Sequence, residues 1–260
     1  VLNIVIPLAG RGSRFISAGY EDPKPFIDVA GKPMIHRVVE NLMPLEPHRF
    51  IFLARRDHES YIRQHMSFAT NVIYVDEVTE GAACTVLLAE KLINNKNPLI
   101  IANSDQLVEW NNATKPCSVS HPKHYSQMVW REINNIQDMI NAARHANYDA
   151  SIAAFYASHP KWSYARLNSD MTVAEVAEKK VISNFATVGI YYYKTGENFV
   201  ENTYAMIHKD IRVNGEFYVC PIFNEMIKND RASIGLYMVH KMMGLGTPED
   251  LEKYLNEGQK

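Results

Sequence analysis

The sequence predicts an α/β fold: a mixed, mainly parallel central sheet flanked by helices, in one domain whose second half is richer in β-structure. Three observations carry this. Short apolar runs alternate with helix-periodic segments through residues 1–102, the rhythm of parallel strands joined by right-handed crossovers. Four strand-like runs then crowd into residues 151–193. Finally, a glycine-rich basic loop directly follows the first apolar run, at a strand's carboxyl end, where such sheets hold their ligands.

In order, residues 2–6 read as a buried parallel strand. Residues 34–42 read as a helix, with Ile35, Val38, Val39 and Leu42 on one face. A strand over 49–54 precedes a short helix over 59–66. A third strand over 71–75 leads to a helix over 82–93, and a fourth strand covers 98–102. In the second half, strands are expected at 151–157, 164–168, 173–178 and 186–193. Helices are expected at 197–208, 216–228 and 248–255. No repeat, low-complexity tract or long linker divides the chain, so one domain is expected over residues 1–260.

Bulk properties narrow the function classes. Hydrophobic residues make up 47% and charged residues 22%, as in ordinary soluble domains. The net charge of −2, from 27 basic and 29 acidic residues, argues against an extended nucleic-acid surface. Any anionic ligand must therefore be held by local basic groups. Cys84, Cys117 and Cys220 show no paired spacing, so a reducing compartment is expected. No signal-like segment opens the chain, and no apolar run approaches the ~18–20 residues of a membrane span. A cytoplasmic protein is expected.

The most informative segment is Leu8-Ala9-Gly10-Arg11-Gly12-Ser13-Arg14-Phe15, followed by Pro23-Lys24-Pro25-Phe26 and Gly31-Lys32-Pro33-Met34. Gly10 and Gly12 allow backbone N–H groups to approach an anion closely. Arg11 and Arg14 bring planar forks of donors that match phosphate oxygens. Lys24, between two prolines, is presented from a stiff segment. The common phosphate loops do not fit. No G-x-x-x-x-G-K-[ST] run occurs, and Phe15 stands where a dinucleotide fingerprint needs its third glycine. Alone, the Gly-x-Gly would be an ordinary strand-exit turn.

The whole string resembles the signature of the sugar nucleotidyltransferases, which join an NTP to a sugar 1-phosphate and release pyrophosphate. Further segments continue the resemblance: Asn103-Ser104-Asp105, Val176-Ala177-Glu178-Lys179, Thr187-Val188-Gly189-Ile190-Tyr191 and Gly246-Thr247-Pro248-Glu249-Asp250-Leu251. It implies a Rossmann-like, GT-A-type architecture. Residues 1–110 would be a nucleotide-binding half, 111–131 an insertion, and 132–260 an acceptor-binding half.

By this resemblance the nucleotide would meet Leu8, Ala9, Gly10, Arg11, Gly12, Ser13, Arg14, Lys24, Asp76, Gly81, Ala82, Asn103 and Ser104. The acceptor would meet Trp162, Tyr164, Glu178, Lys179 and Gly189. Arg14 and Lys24 would neutralise phosphate charge, and Asp105 would hold Mg²⁺, the expected cofactor. Standing alone, Asp105 would read as a turn residue or N-cap.

Two departures stand out. Many relatives carry a second metal-binding Asp where this chain has Gly244, which leaves Glu216 as the substitute candidate. The other reading of Glu216 is a first-turn helix carboxylate. The polar insertion, with His121 and His124, reads equally as a lid or oligomer contact and as a surface loop. Asp76, a hydrogen-bond acceptor where relatives use Gln, tilts the base towards cytosine, which offers a 4-amino donor. Ala165 for the usual Gly, with Lys161 and Trp162 before it, suits a small or charged acceptor. This pattern, with Glu216-Phe217-Tyr218-Val219-Cys220, resembles the family's CTP:phosphoglutamine cytidylyltransferases of bacterial capsule phosphoramidate synthesis. A sugar-1-phosphate nucleotidyltransferase using UTP, dTTP or GTP, and a non-catalytic nucleotide-sensing subunit, remain the alternatives. The expected partners are small-molecule substrates, an NTP and a phosphorylated acceptor, with a homo-oligomer allowed and neither nucleic acid nor membrane.

Overall fold

The computed structural model describes residues 1–110 and 135–257. The insertion, with Cys117, His121 and His124, lies outside the described residues. The chain runs β1 (Leu2–Leu8), α1 (Ser13–Ser17), a 3-10 turn (Lys24–Phe26), α2 (Met34–Asn41), β2 (His48–Arg55), a second 3-10 turn (Arg56–His58), α3 (Glu59–His65) and β3 (Val72–Val75). Then come α4 (Ala82–Leu87), α5 (Glu90–Ile93), β4 (Leu99–Ala102), β5 (Gln106–Glu109), α6 (Ile136–His145), β6 (Ala150–Tyr156), β7 (Tyr164–Leu167) and β8 (Val173–Ala177). The remainder is β9 (Phe185–Tyr193), α7 (Gly196–His208), α8 (Ile222–Asp230), β10 (Ile234–Met238), β11 (Lys241–Gly244) and α9 (Pro248–Glu257).

Seven strands form the main path in the order β10-β6-β9-β4-β1-β2-β3, with β7 and β8 branching from β9. The pairs β10–β6, β4–β1, β1–β2 and β2–β3 are parallel, and β9 runs antiparallel to both β4 and β6. This is the expected mixed, mainly parallel sheet. Alternate residues of one strand feed two cores: Ile4 and Ile6 pack into one, while Val5 packs into the other. With helices over both faces, β1 is buried on both sides, which is why it reads as continuous apolar sequence.

Two expected helices differ. Residues 82–93 form two short helices, because 3-10-type bonds from Leu88 N to Thr85 O and from Ala89 N to Val86 O tighten the chain between them. The helix expected from 216 begins only at Ile222. The backbone of Phe217 is already engaged: its N–H donates to Glu80 O at 2.8 Å, and its carbonyl accepts from Ala83 N at 3.0 Å. Glu216 is therefore not a first-turn helix carboxylate. α1, α6, β5, β10 and β11 were not expected from the sequence. The short pair β5–β11 matters most, because it sets Gly244 opposite Gln106, beside Asp105.

Candidate active site

β1 and β4 are parallel neighbours, so the segments leaving their carboxyl ends, Ala9–Gly12 and Asn103–Asp105, emerge side by side. The first turns sharply: Gly12 has φ +63, and a Cβ there would stand 3.0 Å from the Cβ of Lys24. Lys24 follows Pro23 (φ −57, ψ 141) and opens the 3-10 turn. Its ammonium donates to Asp105 Oδ2 at 2.5 Å and sits 5.9 Å from the ring centroid of buried Phe15. A sequence separation of 81 thus closes into one ion pair beyond the carboxyl ends of two central strands. Arg11 and Arg14 are exposed. Arg11 lines a shallow cavity with Arg55, Asp57 and His58, while Glu249 of α9 is held below the usual carboxylate range by hydrogen bonds from its own backbone and Thr247 and, least, by the charge of Arg14.

On the expected base side, Asp76 is exposed and hydrogen-bonded to the guanidinium of Arg56, which lowers its pKa. Arg56 in turn lies 5.3 Å from the Tyr74 ring centroid. Gly81, at φ +132, packs so tightly that a Cβ would come 2.5 Å from Phe217 O. The loop carrying Gly81 and Ala82 is therefore buttoned directly to the segment carrying Glu216 and Tyr218.

On the expected acceptor side, Glu178 and Lys179 diverge at a residue in left-handed conformation, Lys179 at φ +53. Glu178 accepts a hydrogen bond from Ser163 Oγ. Lys179 Nζ donates to the Tyr218 hydroxyl and lies 4.4 Å from that ring's centroid. Burial, and then the neighbouring Glu216 carboxylate, push the Tyr218 phenol's pKa well up, so it stays protonated. Glu216 thus belongs to the Lys179–Tyr218 group. Tyr164 is fully enclosed and its hydroxyl donates to His159 O at 2.8 Å, so it braces the loop bearing Trp162 from inside. Trp162 stacks edge-on against Phe155 and beneath Lys161 Nζ, 4.6 Å from its ring centroid. Gly189 has φ +75, and a Cβ there would lie 2.1 Å from Asn103 Nδ2 and 2.7 Å from Gln106 Oε1. The glycine is what lets both carboxamides lie against β9.

Residues 4–212 match the family described as nucleotidyl transferase. The chain belongs to the nucleotidyl transferase family. Among curated proteins, the bifunctional protein GlmU of Methanococcus maripaludis is 25% identical over 148 residues. That match takes in 54% of this chain and 35% of GlmU, so the chain spans about a third of that relative's length. Among solved structures, the nucleoside-diphosphate-sugar pyrophosphorylase of Vibrio cholerae RC9 superposes with a TM-score of 0.73 at 21% identity, over 97% of this chain and 99% of that one. A UDP-glucose pyrophosphorylase complexed with UDP-glucose gives 0.74 at 18% identity, over 100% and 98%. At these identities the likeness is one of fold.

For a nucleotidyl transferase, the fit to Mg²⁺ turns on the surroundings of Asp105. Its carboxylate is a hard oxygen donor, and Gly246 places no side chain beside it: a Cβ there would come 3.1 Å from Oδ2. Mg²⁺ binds through one or two carboxylates plus substrate phosphates and water; with Oδ2 paired to Lys24, Oδ1 is the oxygen Asp105 would offer, and a single carboxylate ligand fits the ion. Among the described residues, no group of three or more His, Cys, Asp or Glu is placed to hold a metal. The position of the missing second carboxylate, Gly244, faces Asp250, whose Oδ2 would lie 3.6 Å from a Cβ there.

Sequence reasoning passed over Ser163, Tyr218 and Gln106. For Ser163, a polar residue between Trp162 and Tyr164, that placement was the available signal, and Tyr218 stands within Glu216-Phe217-Tyr218-Val219-Cys220. Gln106, whose buried Oε1 has no hydrogen-bond partner, left none.

Glu178 also gives a pH-dependent outcome. Burial is the main cause that raises its pKa above 4.5, partly opposed by Ser163 and Lys179. In the folded state the carboxyl keeps its proton to higher pH than when unfolded. Folding stability from this group is therefore present below 4.5 and declines as pH rises towards the folded value. Glu178→Gln is expected to flatten that decline, gaining Tm relative to the native chain at pH 7 but not at pH 4; equal Tm differences at both would contradict it.

Proposed function

We propose that this nucleotidyl transferase passes CMP from CTP to a phosphorylated small-molecule acceptor and releases pyrophosphate. L-Glutamine phosphate, in the making of capsule or surface-polysaccharide precursors, is the specific candidate. The Lys24–Asp105 contact at the edge of the glycine loop carries the reading, since it sets a cation and a metal-capable carboxylate at one point between two strand ends. An acceptor phosphate oxygen attacks the α-phosphorus, and the bond from that phosphorus to the bridging oxygen breaks. A phosphomonoester, with its second pKa of about 6, is already largely dianionic at neutral pH and needs no base. What remains is to bring anions together, a task of alignment and charge neutralisation. Lys24 would bind phosphate oxygens of both substrates, and Arg14 the departing pyrophosphate. Lys179 would bind the acceptor phosphate. Mg²⁺, held by Asp105, would supply positive charge to the triphosphate oxygens.

For the base, support lies in Asp76: its Oδ1 is taken by Arg56, while Oδ2 is 3.5 Å from that guanidinium and remains the less engaged acceptor for an amino group. For the acceptor, support lies in the close Lys179–Tyr218–Glu216 group. The second reading, a sugar-1-phosphate nucleotidyltransferase, is favoured by the structural relatives, a nucleoside-diphosphate-sugar pyrophosphorylase and a UDP-glucose pyrophosphorylase. A pyrophosphate-release screen crossing four NTPs with phosphoglutamine, phosphocholine, glucose 1-phosphate and mannose 1-phosphate separates the two. The expected result is turnover with CTP and phosphoglutamine, abolished by chelator and restored by Mg²⁺. Preferred turnover of a sugar 1-phosphate with UTP, dTTP or GTP would establish the second reading instead.

A further inference from the structure

A run of buried polar groups lies beneath the acceptor side. Thr187 and Tyr191 of β9 share a hydroxyl–hydroxyl contact of 3.0 Å. Ser163 donates to Glu178 Oε2, and the Cys220 thiol, its pKa pushed up mainly by burial, is enclosed nearby. Tyr191 and Cys220 are almost fully enclosed, and only 9% of Ser163 is exposed. A hydroxyl has one proton to give. Ser163 commits it to Glu178. Burial holds the Cys220 thiol protonated. Ser163 is itself fixed: its carbonyl accepts from Thr187 N at 2.8 Å, and the next residue pairs with β9. The neighbours of Glu178 thus come from several elements: Ser163 from the loop before β7, Cys220 and Glu216 from the segment before α8, and Lys179 from its own turn.

We propose that Ser163 is a positioning residue of the acceptor pocket, its hydroxyl fixing the rotamer in which Glu178 offers a carboxylate oxygen to a donor group of the phosphorylated substrate. This rests on reading Glu178 and Lys179 as the acceptor-binding pair. Without that hydroxyl, Glu178 keeps its charge but loses its orientation, and the acceptor is bound less well in ground and transition states alike.

The test is steady-state kinetics of the full chain with its best nucleotide and acceptor. Ser163→Ala is expected to raise the acceptor KM about ten-fold, the scale of one hydrogen bond to a charged group. Both kcat and the nucleotide KM should stay within about three-fold of the native values, and Ser163→Thr, which restores a hydroxyl, should recover most of the loss. Ser163→Cys, which fills the site with a weaker donor, should move the acceptor KM in the same direction and serves if the alanine variant folds poorly. An unchanged acceptor KM in an active Ser163→Ala or Ser163→Cys enzyme, an equal rise in the nucleotide KM, or no recovery with threonine would overturn the proposal. Absence of acceptor-dependent pyrophosphate release by the native chain would instead overturn the reading of the site beneath it.

Discussion

Lys24→Ala is expected to lower kcat by about a thousand-fold, with nucleotide affinity falling much less. Charge stabilisation at phosphoryl centres is commonly worth two to three powers of ten per donor, because the contact strengthens as negative charge spreads over the transferring group. Lys24 is suited to that difference. Pro23 and the 3-10 turn fix where its stem starts, Gly12 leaves room for its Cβ, and its ammonium sits against Asp105. The removal also frees Asp105 from its ion pair, so the variant's Mg²⁺ requirement should shift to lower concentration as its rate falls. Single-turnover rates beside equilibrium binding of the nucleotide distinguish the two quantities. A variant that loses affinity and rate in equal measure would show Lys24 to be a ground-state binding group.

Gly189→Ala is expected to cost roughly 3 kcal/mol of stability and to damage the site as well. Its φ of +75 disfavours any side chain, and the added carbon would collide with the carboxamide of Asn103 at 2.1 Å and with Gln106 at 2.7 Å. The position lies where the pairing of β9 with β6 slips between Ile152 and Ala154, Tyr191 pairing on one side and Thr187 on the other, so β9 carries two extra residues there and bends. Asn103 N donates to Gly189 O at 2.9 Å, which ties the bend to the loop that ends in Asp105. For a chain of this length the Tm should drop by roughly 6–12 °C. Activity measured well below the new Tm should also fall, because Asn103 cannot keep its place. A native Tm in the alanine variant would refute the steric argument.

How far the sequence could be read varies with the kind of signal. Strands β1, β2, β4 and β9 were legible because burial on both faces demands unbroken apolar runs, and α2 because its apolar residues recur with helical spacing. The start of α8 was not legible. Residues 216–220 carry no sign that the backbone of Phe217 would be taken by Glu80 and Ala83, more than a hundred residues earlier. β5 and β11, four residues each, are too short for a pattern to show. In the site, the glycine loop, Lys24 and Asp105 stood out, since phosphate chemistry restricts the residue types that serve it. Ser163 did not, because a lone serine before a tyrosine has many uses.

The family came from a resemblance of the whole loop-and-lysine string and from the match over residues 4–212; the sequence by itself determined an α/β chain with a basic glycine loop at the end of its first strand. Those properties rest on local chemistry: close backbone approach at glycine, guanidinium forks, a lysine between prolines. Only the tertiary structure decided the rest. It joined Lys24 to Asp105, moved Glu216 from a helix start to the neighbourhood of Tyr218 and Glu178, enclosed Tyr164, and placed Ser163 behind Glu178. The contacts of Lys24 with Asp105 and of Ser163 with Glu178 cross 81 and 15 residues of sequence. Parallel crossovers and the bend at Gly189 bring them within hydrogen-bonding distance, and a one-dimensional pattern holds no record of that distance.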